Sequence, residues 1–133
     1  MSSRTKTTDG GTMTYTMSWE NRGVYKHFTG HVSYPEYSRS QEMVLADHRT
    51  DSIRYVINDF LEVQSYSVTS DQAEYLAAFN RGASISNPRL RIAYVTTDAK
   101  IKMLIKLVSI ISSFELITFS TLAAAREWSS SLK

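Results

Sequence analysis

A chain of 133 residues with 42% hydrophobic and 21% charged residues has the length and composition of one globular domain with a single core. Its formal net charge of +2 is spread along the sequence, which argues against a dedicated nucleic-acid binder. The absence of cysteine excludes a disulfide framework and a thiolate metal site.

The first twelve residues, MSSRTKTTDGGT, are polar, carry a Gly10-Gly11 pair and read as a flexible leader to a domain over 13–133. They lack the apolar core of a secretory signal. Met13, Tyr15, Met17 and Trp19 alternate with polar residues, the period of a half-buried strand. Glu20-Asn21-Arg22-Gly23 supplies a turn, with Gly23 free to take positive φ, and Val24 to Thr29 returns as the second strand of a hairpin that Gly30 ends. Ser33-Tyr34-Pro35-Glu36 has capping-box spacing and predicts a helix to about Arg49, its inner face Tyr37, Val44, Leu45 and His48. Ile53 to Phe60 predicts a strand, followed by a polar loop. Thr69-Ser70-Asp71-Gln72 repeats the capping-box spacing, with Ala73, Leu76, Ala77 and Asn80 facing inward. Leu90 to Thr96 predicts the next strand, Asp98 opens a lysine-bearing helix, Phe114 to Phe119 is a strand, and Ser120 caps a last helix with Leu122, Ala125 and Trp128. The order ββαβαβαβα is that of an α/β fold, a mixed five-stranded sheet with four helices.

With that order in place, PRLRIAYVTTD (88–98), FELITFSTLAAAREW (114–128) and the loop and helix after INDF (57–60) resemble the STAS fold, and within it the SpoIIAA-like branch. The likeness covers roughly residues 13 to 130 and rests on packing motifs. It implies a non-catalytic regulatory module that binds a protein partner. In the anti-sigma-factor antagonists of this superfamily, an Asp-Ser pair after the third strand carries the phosphorylated serine. The corresponding stretch here, DFLEVQSYSVTSD (59–71), is longer and has no contiguous Asp-Ser, with Thr69 and Ser70 the nearest hydroxyls at the helix start. The superfamily also resembles lipid-carrying CRAL-TRIO domains, which implies an apolar ligand or a membrane surface as the alternative.

Ligands in open α/β sheets gather at the carboxyl ends of parallel strands, beside helix N-termini. Asp59, Thr69, Ser70, Thr97 and Asp98 fall at such ends and form a candidate phospho-switch or anion site, although each is also what a cap or turn requires. The histidines lack metal-ligand spacing, and no HExxH, GxSxG or P-loop pattern occurs, so no catalytic residue, metal or cofactor is expected.

The segment KIKMLIKLVSIISS (100–113) is the exception to ordinary patterning. On a helix its apolar residues span roughly 220°, where packing on a sheet needs a stripe of about 100° or a little more. Neighbouring helices, a homodimer seam, or a cover over an apolar pocket would each take up the excess. Met103, Leu104, Leu107, Val108 and Ile111 are the candidate apolar-ligand or membrane face, with the lysines placed near anionic headgroups. The run from Ile101 to Ile111 is too short and too lysine-interrupted to span a bilayer. The expected location is the cytoplasm, with the inner face of the membrane as the peripheral alternative.

Overall fold

Alternation of apolar and polar residues builds the sheet, and a computed structural model, describing residues 4–9, 13–112 and 114–133, shows how. The strands are β1 (Arg4–Asp9), β2 (Met13–Trp19), β3 (Gly23–Ser33), β4 (Tyr55–Ser67), β5 (Arg91–Val95) and β6 (Leu116–Phe119). The helices are α1 (Tyr34–Ala46), α2 (Ser70–Ser86), α3 (Ala99–Ser112) and α4 (Leu122–Ser130), with a 3-10 turn at His48–Ser52 after α1. The sheet order follows the sequence, β1 to β6. The β1–β2 and β2–β3 pairs are antiparallel and the β3–β4, β4–β5 and β5–β6 pairs are parallel.

The five expected strands and four helices are present, and β1 adds a sixth strand inside the segment read as a leader. Its threonines and charged residues pair with β2 from Arg4 opposite Ser18 to Asp9 opposite Met13. Composition gave no sign of it, because an edge strand needs no apolar face of its own. The Gly10-Gly11 pair lies outside the described residues.

Two cores flank the sheet. Tyr15, Met17, Val24, Phe28, Val56 and Ile92 point to one face, where α1, α2 and α3 bury Tyr37, Val44, Leu76, Ile101, Ile105 and Val108. On the other face α4 packs Ala125 and Trp128 against Tyr55, Ile57, Val95 and Phe119. The predicted inner face of α2 is buried throughout, Ala73, Leu76, Ala77 and Asn80 alike.

Several local expectations are corrected. Gly23 is needed for space rather than for positive φ: a Cβ there would meet the Tyr55 ring at 2.4 Å. The positive φ belongs to Gly30, at 76°, where the β3–β4 register shifts and β3 runs on to Ser33 instead of ending. Ser33 is the N-cap of α1 but makes no capping bond; its hydroxyl donates to Glu36 Oε1 at 2.7 Å. Helix α1 stops at Ala46, and His48 points into solvent in the following turn rather than packing inward. Thr121, not Ser120, caps α4, accepting from the Ala124 N–H at 3.1 Å.

Candidate functional site

The polar stretch after Phe60 was expected to be a loop and is instead the second half of β4. It stays paired with β3, Thr29 opposite Glu62 and, past the register shift at Gly30, Ser33 opposite Ser67. Strand β5 ends earlier, so β4 pairs with it only from Tyr55 to Asp59. The overhang beyond Asp59 is therefore bonded along one edge, and among the described residues its other edge has no strand partner. His31 secures the bonded side: its ring nitrogens lie 2.8 Å from Ser65 Oγ and 3.2 Å from Ser67 Oγ.

That free edge forms one wall of a cleft of about 680 Å³. The starts of α1 (Tyr34, Pro35), α2 (Thr69, Gln72) and α3 (Lys100, Ile101) border it, with Asp98 beside them. Helix N-termini direct unpaired N–H groups and positive dipole ends toward such a space. Three converge here because parallel crossovers return every helix start to the carboxyl end of the sheet.

The predicted anion-site residues reach this region unequally. Thr69 is the N-cap of α2 in a complete capping box: its Oγ1 accepts from Gln72 N–H at 3.2 Å and its own N–H donates to Gln72 Oε1 at 2.9 Å. Ser70, the first residue of α2, is exposed and its hydroxyl takes no part in the cap. Asp98 Oδ1 accepts from the N–H groups of Lys100 and Ile101 at 2.8 and 3.0 Å, which caps α3, and Thr97 beside it is exposed. Asp59 is buried on the opposite, α4 face, where Tyr25 OH donates to its Oδ2 at 2.6 Å and Leu61 N–H to its Oδ1 at 3.1 Å. Burial, together with this bond to a carboxylate, pushes the Tyr25 phenol well above its ordinary value.

The apolar set on α3 divides between two surfaces. Val108 is buried and Leu104 half-buried, both facing the sheet with Ile101 and Ile105. Met103, Leu107 and Ile111 point outward, with Ile110 beside them; Met103 is 74% and Ile110 67% exposed. Helix α2 covers one flank of α3, so neighbours absorb part of the 220° apolar arc and leave a bare stripe at Met103, Leu107 and Ile110. Beneath α3 lies an apolar chamber of about 50 Å³ with Phe60, Leu76, Leu104 and Leu116 in its walls. It shares Tyr66, Val68 and Ile101 with the polar cleft, so the two are neighbours through one partition.

Two polar groupings escaped the sequence reading. On the α4 face Arg126 reaches Glu20 through two bonds of 2.6 and 2.7 Å, and Tyr55 OH donates to the same carboxylate. Burial works to raise the Glu20 carboxyl, but the bonds from Arg126 and Tyr55 outweigh it and hold the group below its usual range. On the other face Lys26 is fully buried between β3 and α1. Its position, in step with Val24 and Phe28 on an alternating strand, was the available signal.

No protein-family model and no curated protein sequence matches the chain. Solved structures do. An anti-sigma factor antagonist from Mycobacterium paratuberculosis is similar at 16% identity and a TM-score of 0.59, covering 96% of this chain and 95% of its own. An uncharacterised DUF3478-family protein with a SpoIIAA-like fold from Shewanella loihica gives 13% identity and a TM-score of 0.48, over 97% and 95% of the two chains. The chain has the STAS/SpoIIAA-like fold. No helix among the described residues is long and apolar enough to cross a membrane.

Proposed function

We propose that the chain is a non-catalytic regulatory module that binds a protein partner in the cleft where α1, α2 and α3 begin. The observation that carries this reading is the free edge of the β4 overhang along the cleft wall. A row of unpaired main-chain donors and acceptors fits an extended segment of another protein, which adds as a strand while its side chains fill the space alongside. The solved anti-sigma factor antagonist of the same fold supports a regulatory role. Ser70 is the hydroxyl suited to switch the interaction. A phosphoryl group there would place about −1.5 to −2 charges at the α2 N-terminus, within reach of a docked segment. Thr69 is less suited, because its hydroxyl is engaged in the cap.

A photo-crosslinking residue at Gln64, on the overhang, tests this in cells of the source. The expected result is a discrete crosslinked protein that is lost in Ser70→Glu and absent when the crosslinker sits at Glu127 on α4. Equal capture from Gln64 and Glu127, or none from either, refutes the docking site.

A second reading is favoured by the apolar chamber beneath α3 and the bare stripe outside it. Here an apolar ligand or a membrane surface is the target, with Lys100, Lys102 and Lys106 close to anionic headgroups. Native mass spectrometry of protein purified without detergent separates the readings. A co-purifying lipid mass favours the second, and a bare protein mass the first.

A further inference from the structure

Strand β3 carries Lys26 into the middle of the α1–α3 core, opposite Asn58 on β4. The ammonium end lies 5.0 Å from the Tyr37 ring centre and 5.6 Å from that of Phe28. Its hydrogen bond is to Ser40 Oγ on α1, at 3.0 Å, and Ser40 in turn donates to the Tyr37 carbonyl. Lys26, Gln41 from α1, Asn58 from β4 and Asn80 from α2 line a small chamber together with Leu45, Phe79 and Ala83.

Three side-chain atoms in that wall have no protein partner among the described residues: Gln41 Oε1, Asn58 Oδ1 and Asn80 Nδ2. All three residues are at least nine-tenths buried. Each spends its other amide atom elsewhere. Asn58 Nδ2 donates to the Ala93 carbonyl, and Gln41 Nε2 donates to Asn80 Oδ1 and to Tyr37 OH, all at 3.4 Å. Exchanging O and N in Gln41 and Asn80 together keeps their mutual bond and again leaves one donor and one acceptor free, so the balance does not depend on that assignment.

We propose that this chamber is an internal water site, in which one water accepts from Asn80 Nδ2 and the Lys26 amine and donates to Asn58 Oδ1 and Gln41 Oε1. Its volume of about 20 Å³ exceeds the roughly 10–15 Å³ that one water requires. The chemistry selects the occupant. An anion would face two amide oxygens, a cation would face a lysine and an amide N–H, and an apolar molecule would leave all the free atoms unsatisfied. Water matches two donors and two acceptors at once. The site ties β3, β4, α1 and α2 through one molecule.

The experiment is water-to-protein cross-relaxation by NMR on the full chain, read at the side-chain amides of Asn58 and Asn80. The site predicts exchange-independent cross-peaks of the sign given by a long-lived water, together with one long-lived water fewer in Asn80→Leu by magnetic relaxation dispersion. Absent cross-peaks in the wild type overturn it whether or not the variant folds. An unchanged count of long-lived waters in a folded Asn80→Leu overturns it as well.

Discussion

Replacing Lys26 by Met tests whether a lysine buried without a carboxylate sets the pH dependence of stability. Burial alone lowers the Lys26 amine from its ordinary 10.5 to about 7. The charged and titratable groups around it do not offset this. Tyr37 from α1 is held protonated by its own burial and by its bond to Tyr94 from β5, while β4 and α2 present amides. An unfolded Lys26 keeps its proton up to about pH 10.5, whereas the folded protein sheds it from about pH 7 upward. Between those limits the unfolded state binds more protons, so stability rises with pH. Below about pH 7 both states are charged and the full burial penalty applies. At about 1.4 kcal/mol per pH unit, the whole interval amounts to about 5 kcal/mol.

Met has a similar length, no charge and no need of a partner, so Lys26→Met removes the titration and leaves the packing close to intact. Losing the bond to Ser40 costs about 1 kcal/mol at every pH and does not alter the slope. Urea unfolding followed by Trp19 and Trp128 fluorescence, from about pH 6 to about pH 9, is the assay. The wild type should gain about 2 kcal/mol on the variant between about pH 7 and about pH 9, and nothing between about pH 6 and about pH 6.5. Parallel curves for the two proteins would show that Lys26 keeps its charge in the fold, and the account of a neutral buried amine would fail.

Other substitutions probe separate parts of the structure. Gly23→Ala drives a Cβ into the Tyr55 ring and should cost about 1–3 kcal/mol, while Gly82→Ala, with nothing within 4 Å on an interior turn of α2, should stabilise by up to about 1 kcal/mol; the reverse order would contradict the β3–β4 packing. Thr69→Ala should lose about 1 kcal/mol with the α2 capping box, against a change within about 0.5 kcal/mol for Ser70→Ala, and equal losses would mean that Ser70 also holds the helix start. On α3, Val108→Ala should destabilise by about 2 kcal/mol, whereas Leu107→Glu should leave stability within about 0.5 kcal/mol; if Leu107→Glu unfolds the protein, the outer stripe is not bare. Flotation with anionic liposomes at low salt, followed in the wild type and Leu107→Glu, decides whether that stripe meets lipid: loss of flotation in the variant supports membrane contact, and no flotation of either refutes it.

What the sequence disclosed depended on whether a residue's role was local. Periodicity in β2, α2 and α3 and the capping box at Thr69 follow from neighbours within one turn or one strand, and they read correctly from the chain alone. The cleft did not, because it arises from a difference in length between two strands. Residues 61–67 mix Leu61, Val63 and Tyr66 with polar residues, an alternation too short to separate from a loop; they are extended because β3 continues beside them, past the bulge at Gly30. Nothing in the segment announces that β5 stops at Val95 and leaves its edge open. Lys26 was hidden by the same kind of non-local cause. A lysine on a strand is ordinarily written as solvent-facing, but parity with Val24 and Phe28 already placed it inside, and only α1 and α2 closing over it with Ser40, Gln41 and Asn80 makes that position tenable. The two sites share this origin. Each holds polar groups that the chain's own partners leave incompletely bonded. Polar atoms left over inside or beside the sheet are the groups that the proposed water in the core and the proposed partner strand at the edge would bond.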